Sequence, residues 1–179
     1  MKKSASEITR ENFKEAMFSL YENRPLKDIS INLLCDTAGY HRNTFYRYYS
    51  DLIDLLHEID QALLGSLWQH IVVYLNADLD ADNQIPPEVI EFFHSNRRRF
   101  EIMLRADNHF QHKLVNLLRQ EFYQRSDSLV KIYRSEYTIA ALFHLITLWF
   151  QRKQDLSIQD LLFLVKEIDS TYLYRSKEK

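Results

Sequence analysis

The stretch AGYHRNTFYRYY, residues 38–49, joins a glycine to a run of aromatic and basic side chains. Gly39 is one of two glycines in the chain, and no Asp or Glu occurs from residue 37 to residue 50. Glycine adopts positive φ without steric cost, so the pattern predicts a tight turn at Gly39 and a short helix over 42–48. A segment of this composition is either an aromatic part of the core or a surface for a polyanion.

The composition outside this stretch is typical of an all-α protein. Of 179 residues, 46% are hydrophobic, but only 2 are glycine and 3 are proline, too few for many tight β-turns. Apolar residues recur every three or four positions, which predicts helices over 7–22, 31–38, 42–48, 51–76, 87–105, 108–124, 127–152 and 157–174. The polar stretch NADLDADNQIPP, residues 76–87, is predicted to be a loop.

Several classes of function are disfavoured by the sequence. The net charge of -2 argues against wholesale coating of nucleic acid and leaves room for a local basic face. Cys35 is the only cysteine, which excludes an intrachain disulfide and a cysteine-based zinc cage, and we expect it in the core. A phosphate-binding loop, a nucleophile elbow and an apolar run of membrane-spanning length are all missing from the sequence. We therefore expect a cytoplasmic protein that is not an enzyme, without a cofactor.

Two polar clusters have a weaker functional interpretation. His109 and His112 are three residues apart, with Asp107 nearby, as metal ligands can be. Neither a cysteine nor a second histidine pair reinforces this pattern, so we predict surface side chains and no metal site. The run NRRR, residues 96–99, could bind an anion or DNA, but we predict a solvated helix edge.

The opening stretch fits a helix-turn-helix, in which the second helix enters the major groove of DNA. Ser30 can cap the first of the two helices. Phe45 and Tyr49, four residues apart, are predicted to face the core. The first turn of the second helix offers side chains that can bond base edges, namely Arg42, Asn43 and Thr44. Phosphate contacts are predicted for Tyr46, Arg47 and Tyr48.

The run LKDISINLLCDTAGYHRNTFYRYYSDLIDLL, residues 26–56, closely resembles the DNA-binding domain of the tetracycline-repressor (TetR) family. The resemblance implies a helix-turn-helix domain over 1–50, with the motif near 30–49, and a helical ligand-binding and dimerisation domain over 51–179. It extends the predicted DNA-binding set to Ser30, Asn32, Arg42, Asn43, Thr44, Tyr46, Arg47 and Tyr48. Three positions depart from the family pattern: Leu52 replaces a frequent lysine, His41 a capping Ser or Thr, and Tyr40 a small aliphatic residue.

The C-terminal part is similar to a TetR subgroup that includes the regulator of dihydroxyacetone kinase genes (DhaS-like). The resemblance lies in FFHSNRRRFEIML at 92–104, YRSEYTIAALFHLITLWF at 133–150 and SIQDLLFLV at 157–165. A cavity for a small-molecule effector is one possibility and a filled core the other. The predicted lining residues are Trp68, His94, Met103, Phe110, His144 and Trp149.

The sequence thus predicts a transcriptional regulator that binds double-stranded DNA, with a ligand-responsive repressor as the main interpretation. A coactivator that acts through protein contacts, without its own operator, is the alternative. We expect a homodimer formed by the last two long helices, because their apolar faces exceed the need of one core. Those faces comprise Tyr137, Ala140, Ala141, His144, Leu145 and Leu148, then Ile158, Leu161, Leu162, Val165, Ile168 and Tyr172.

Overall fold

The computed structural model describes residues 4–76, 85–122, 128–152 and 155–174, and within them the chain forms eight α-helices and one short 3-10 helix. The α-helices are α1 (Ala5–Tyr21), α2 (Ile31–Ala38), α3 (Arg42–Phe45), α4 (Leu52–Asn76), α5 (Pro87–Ala106), α6 (Asn108–Phe122), α7 (Leu129–Gln151) and α8 (Ile158–Tyr174), and the 3-10 helix is Leu26–Asp28. This confirms the all-α fold class. In the described ranges, none of the helices is long and apolar enough to cross a membrane. The predicted helix ends at 123–124 and 127 and most of the predicted loop lie outside these ranges.

α1 begins two residues earlier than the apolar pattern predicts, because Ser4 caps it. The Ser4 hydroxyl accepts a hydrogen bond from the Glu7 amide at 3.2 Å, and the Glu7 carboxylate accepts one from the Ser4 amide at 2.7 Å. This reciprocal pair satisfies amides that have no partner inside the helix. The inner face of α1 then buries Phe13, Ala16 and Met17.

α2 and α3 are joined by the turn that Gly39 was predicted to make. The Ser30 hydroxyl accepts a hydrogen bond from the Leu33 amide at 3.2 Å, which starts α2 at the predicted residue. Gly39 ends it with φ 75° and ψ 31°, in the left-handed region. The Tyr40 amide donates to the Cys35 carbonyl at 2.9 Å, and the Gly39 amide donates to the Asp36 carbonyl at 3.3 Å. These bonds close the end of α2 as in a Schellman motif.

α3 is shorter than the predicted helix over 42–48. The α-helix ends at Phe45, and beyond it the amides of Arg47 and Tyr48 bond to carbonyls three residues back, at 3.3 and 2.9 Å. Such tightening is frequent in the last turn of a helix. The tighter turn still leaves both Phe45 and Tyr49 in the core.

α4 connects the helix-turn-helix to the rest of the chain. Asp51 starts it by accepting a hydrogen bond from the Asp54 amide at 2.8 Å. Its first half buries Leu55, Leu56 and Ile59 in the cluster that holds Phe13 and Phe45. That buried cluster continues into α5 and α6 through residues such as Met103 and Phe110. One buried core therefore contains residues from both sides of the predicted domain boundary between residues 50 and 51. The division of the chain into two domains at that boundary stays a prediction.

α8 packs inward, which corrects part of the predicted dimer face. Ile158 and Leu161 are buried against Trp149 of α7, so they belong to the core of the single chain. Leu162 and Val165 face a cavity described below. The side chains of Ile168 and Tyr172 lie outside the described residues. On the described part of α8, Phe163 is the large apolar side chain that stays exposed.

Candidate nucleic-acid interface and regulatory cavity

An aromatic cluster fixes α3 on the rest of the head, residues 4–50. Phe13 of α1 contacts the rings of Tyr40, Phe45 and Tyr49, with centroid distances of 5.2, 5.5 and 6.2 Å. Phe45 and Tyr49 are buried as predicted, and burial raises the pKa of Tyr49 to about 12. Edge-to-face ring pairs add about 0.5–1.5 kcal/mol each beyond the burial of their area. The cluster therefore holds the second helix of the motif in one orientation.

This orientation leaves the predicted DNA-binding side chains on the surface. Arg42, Asn43, Tyr46 and Arg47 are exposed, whereas Thr44 and Tyr48 are half-buried at the edge of the cluster. Asn32 of α2 is also exposed. Ser30 is exposed as well, but its hydroxyl already caps α2. Because this face carries two arginines and residues 37–50 contain no carboxylate, its local charge is positive.

Arg42 is positioned by a neighbour four residues later. Its Nη2 donates a hydrogen bond to the Tyr46 hydroxyl at 3.3 Å, and its guanidinium carbon lies 5.8 Å from the centre of the Tyr46 ring. A guanidinium over an aromatic face keeps its outer donors available. Arg47, by contrast, has no side-chain hydrogen bond within the part of the chain that the structure describes.

The three departures from the family pattern have structural counterparts. Leu52 packs against the core, where a lysine could have reached a phosphate. His41 precedes α3 without giving it a side-chain cap. Tyr40 lies on Phe13, and its hydroxyl accepts a hydrogen bond from the Asn12 side chain at 3.0 Å. The large ring at position 40 thus belongs to the cluster that orients α3.

A cavity of about 410 Å³ lies among α4, α5, α6, α7 and α8. This volume is within the range of pockets that hold small organic molecules. The wall is mainly apolar, with Leu67, Phe93 and Phe100 among its side chains. His70 of α4 and Arg134 of α7 are polar members of the wall.

Most of the six residues predicted to line a cavity lie elsewhere. Trp149 is on the wall. Met103 and Phe110 are fully buried in the main core, His94 and His144 are exposed, and Trp68 is half-buried without reaching the cavity. Helical periodicity identifies the apolar face of each helix, but it does not tell which apolar face borders an empty space. The wall residues that it missed, Phe93 and Phe100, stand in the quoted run at 92–104.

α5 is joined to α1 by three arginines, a junction that sequence reasoning missed. Arg98 pairs with Glu22 at 2.5 Å, Arg99 pairs with Glu11 at 3.2 Å and also with Glu15, and Arg105 donates to the Glu22 carbonyl at 2.7 Å. The run at 96–99 is thus partly a contact with the head instead of a solvated edge. One feature of the sequence could have indicated this junction: α1 contains more glutamates than basic residues.

α4 is also tied to α1 by charge. Glu58 pairs with Arg10 and with Lys14, the latter at 2.8 Å. Burial opposes ionisation of Glu58, but hydrogen bonds from Lys14 and Arg10 outweigh it and lower its pKa. The carboxylate therefore stays charged at neutral pH.

His109 and His112 are exposed on α6. The Asp107 carboxylate accepts hydrogen bonds from the amides of His109 and Phe110 at 2.8 and 3.2 Å. It thus caps the start of α6. Over the described ranges, no three His, Cys, Asp or Glu side chains are grouped as a metal site would require.

Comparison with known proteins gives the fold and little beyond it. No protein-family model matches the chain. No curated protein sequence matches it either. Among solved structures, it is similar to the dihydroxyacetone kinase operon activator DhaS, with a TM-score of 0.57 and 18% identity over 89% of this chain and 93% of that one. It is also similar to the fatty acid degradation regulator FadR from Bacillus halodurans, with a TM-score of 0.62 and 13% identity over 94% and 96%. The chain therefore shares the all-α fold of these two regulators.

Proposed function

We propose that this chain is a DNA-binding transcriptional regulator of the TetR type whose DNA affinity responds to a small molecule in the cavity. One observation carries the proposal: the aromatic cluster around Phe13 leaves Arg42, Asn43, Tyr46 and Arg47 exposed, in a segment, residues 37–50, that contains no Asp or Glu. An exposed second helix of a helix-turn-helix is the element that enters the major groove. DNA binding explains why this face is basic in a mildly acidic protein.

The proposed roles of these residues rest on their positions in α3 and just beyond it. Arg42, Asn43 and Thr44 stand in the first turn, which meets base edges in a helix-turn-helix. Arg42 presents the fork that pairs with the two acceptors of guanine. Arg47 lies beyond the end of α3, where phosphate contact is expected. Tyr46 and Tyr48 are further proposed phosphate contacts, and Asn32 of α2 is a further proposed DNA contact.

We further propose that the regulator is a homodimer and that the ligand acts by repositioning the two heads. A two-fold axis would place two recognition helices about 34–36 Å apart, one turn of DNA. Both α4 and α5 extend from the cavity wall to the head, so a shift of either helix changes the head's position. Repression of the target genes is the outcome that the family resemblance favours. Activation is the alternative, because DhaS, which has a similar fold, is named as an activator.

DNA binding can be tested by selecting duplexes from a random-sequence pool and comparing Arg42→Ala with Arg47→Ala. We expect Arg42→Ala to cost about 1–3 kcal/mol on the selected site and little on a scrambled duplex. Arg47→Ala should weaken both and lower the salt slope by about one, because one fewer counterion is released. Fluorescence anisotropy across a salt series measures both effects. Arg97→Ala, the same charge change on α5, is the control.

Two outcomes would contradict this assignment. Equal losses for both variants on both duplexes would remove the base-reading role of Arg42. If no sequence is enriched and neither variant changes DNA affinity while circular dichroism shows an intact fold, the coactivator interpretation replaces DNA binding.

A further inference from the structure

The polar side chains on the cavity wall are mostly occupied by the protein itself. The Tyr74 hydroxyl donates to the Leu162 carbonyl at 2.7 Å, and the Trp149 indole donates to the Leu156 carbonyl at 2.9 Å. The Thr138 hydroxyl donates to the Arg134 carbonyl at 3.2 Å. The polar hydrogens of these groups are therefore already used, so a ligand with many acceptor atoms finds few donors on the wall.

His70 is held in one ring orientation. Its Nδ1 lies 2.7 Å from the Ser66 carbonyl, and since a carbonyl only accepts, Nδ1 carries the hydrogen. Its ring stacks on Phe92 with centroids 4.1 Å apart. Nε2 has no hydrogen bond within the described part of the chain, so it can accept one from a ligand or, when protonated, donate one.

Among the described residues that line the cavity, Arg134 is the one that carries a permanent positive charge, and it is exposed to solvent. Neighbouring arginines are paired: Arg119 with Glu136 at 2.7 Å and Arg152 with Asp155 at 2.6 Å. The Arg134 guanidinium has no ion pair with any residue that the structure describes, and no described Asp or Glu lines the cavity. The site thus offers one positive charge beside an apolar volume and no negative charge for a cationic ligand.

We infer that the cavity binds a monoanionic amphiphile, a carboxylate on a hydrocarbon body, with its head on Arg134. This rests on the proposed function and names the effector class. The planar guanidinium matches a carboxylate with two parallel hydrogen bonds, and an anion beside an apolar wall requires such a partner. The hydrocarbon body gains free energy as it leaves water for the apolar wall. A nucleotide or polyol would leave most of its polar groups unpaired there.

The test uses three probes of equal chain length: decanoate, decanol and decyltrimethylammonium. Isothermal titration calorimetry on the full chain should show decanoate bound most tightly and the cation not bound. Arg134→Gln should weaken decanoate about tenfold or more and leave decanol within about twofold, because only the charged head loses its partner. Arg152→Gln, the same charge change at the end of α7, should leave both affinities within about twofold.

A second variant locates the ligand. Ala141→Phe fills part of the cavity and should remove binding of both decanoate and decanol. The inference is wrong if decanol binds as tightly as decanoate, if Arg134→Gln leaves decanoate unaffected, or if none of the probes binds. DNA affinity of the same preparation without ligand is measured separately, so a failure of DNA binding is distinguished from a failure of the ligand class.

Discussion

Within residues 42–49, buried side chains that pack in the core alternate with exposed side chains that are available for contacts. Phe45 and Tyr49 are buried against Phe13, while Arg42 and Arg47 are exposed. The sequence left core and contact surface as alternatives for this segment, and the structure shows a core side and an exposed side within one short stretch. The exposed residues depend on the buried ones for their orientation.

The two glycines should respond to alanine in opposite directions. Neither added methyl would meet an atom within 4 Å, so backbone conformation alone decides the outcome. Gly39→Ala should destabilise the fold by about 1 kcal/mol, because φ is 75°. Gly65→Ala, inside α4, should stabilise it by about 0.5–1 kcal/mol. Urea denaturation at one fixed protein concentration measures both, and changes of equal sign would contradict the explanation.

Asp60 should make stability depend on pH. It is buried, its Oδ2 accepts a hydrogen bond from Lys113 at 2.5 Å, and its Oδ1 has no partner among the described residues. Burial raises its pKa, and Lys113 offsets only part of this. The pKa of this carboxyl is therefore higher in the folded state than in the unfolded state, where it is 3.8. The resulting contribution to stability is fully present below pH 3.8 and is lost as the pH rises through the pKa of the folded state.

The variant Asp60→Asn cannot titrate and isolates this contribution. The difference in unfolding free energy, wild type minus variant, should fall as pH rises from 4 to 7. Each unit of pKa shift corresponds to about 1.4 kcal/mol. Urea denaturation across this pH range provides the difference, and a difference that grows with pH would show that the Lys113 pair dominates instead.

At the scale of elements, α5 has one face on the cavity and another on the head. Phe100 lines the cavity, and the adjacent Arg99 pairs with Glu11 and Glu15 of α1 and lies 5.6 Å from the Phe18 ring centre. Exposed ion pairs contribute little stability, about 0–1 kcal/mol each. We propose that these pairs fix how α1 sits on α5 and so carry a displacement at the cavity to the head.

Removing this junction should uncouple the two sites without removing either. In Arg98→Gln/Arg99→Gln, DNA affinity and ligand affinity should each stay within about threefold. The effect of ligand on DNA affinity, about 5–150-fold in typical coupled systems, should fall toward onefold. Anisotropy with and without a ligand found by thermal-shift screening measures the coupling. Arg97→Gln is the control, and full coupling in the double variant would exclude this route.

At the scale of the whole molecule, α7 exposes an apolar stripe along its length. Leu129, Val130, Tyr133 and Tyr137 are 73%, 71%, 76% and 62% exposed, and Leu148 continues the same face. Ala140 and His144 are exposed between them. Stripes of this kind mark protein interfaces. The interface we now propose is centred on α7, since Ile158 and Leu161 of α8 are buried in the single chain.

Light scattering at micromolar concentration should give twice the chain mass of 21.6 kDa. Tyr133→Asp/Leu148→Asp should give the monomer, because two carboxylates would be buried without partners. Ile8→Asp, at an exposed apolar position on α1, should leave the dimer intact. A monomer for the unaltered chain would remove the two-fold model of DNA binding.

The sequence by itself determined the helices and the turn that carry the proposed DNA contacts, because those depend on near neighbours. Ser30 caps three residues ahead, Gly39 supplies a positive φ, and the four-residue spacing of Phe45 and Tyr49 defines a face. Only the tertiary structure decided which apolar faces enclose the cavity, that Ile158 turns inward, and that Arg99 meets Glu15, 84 residues away. Periodicity shows that a helix has an apolar side, but the partner of that side is fixed by packing between distant segments.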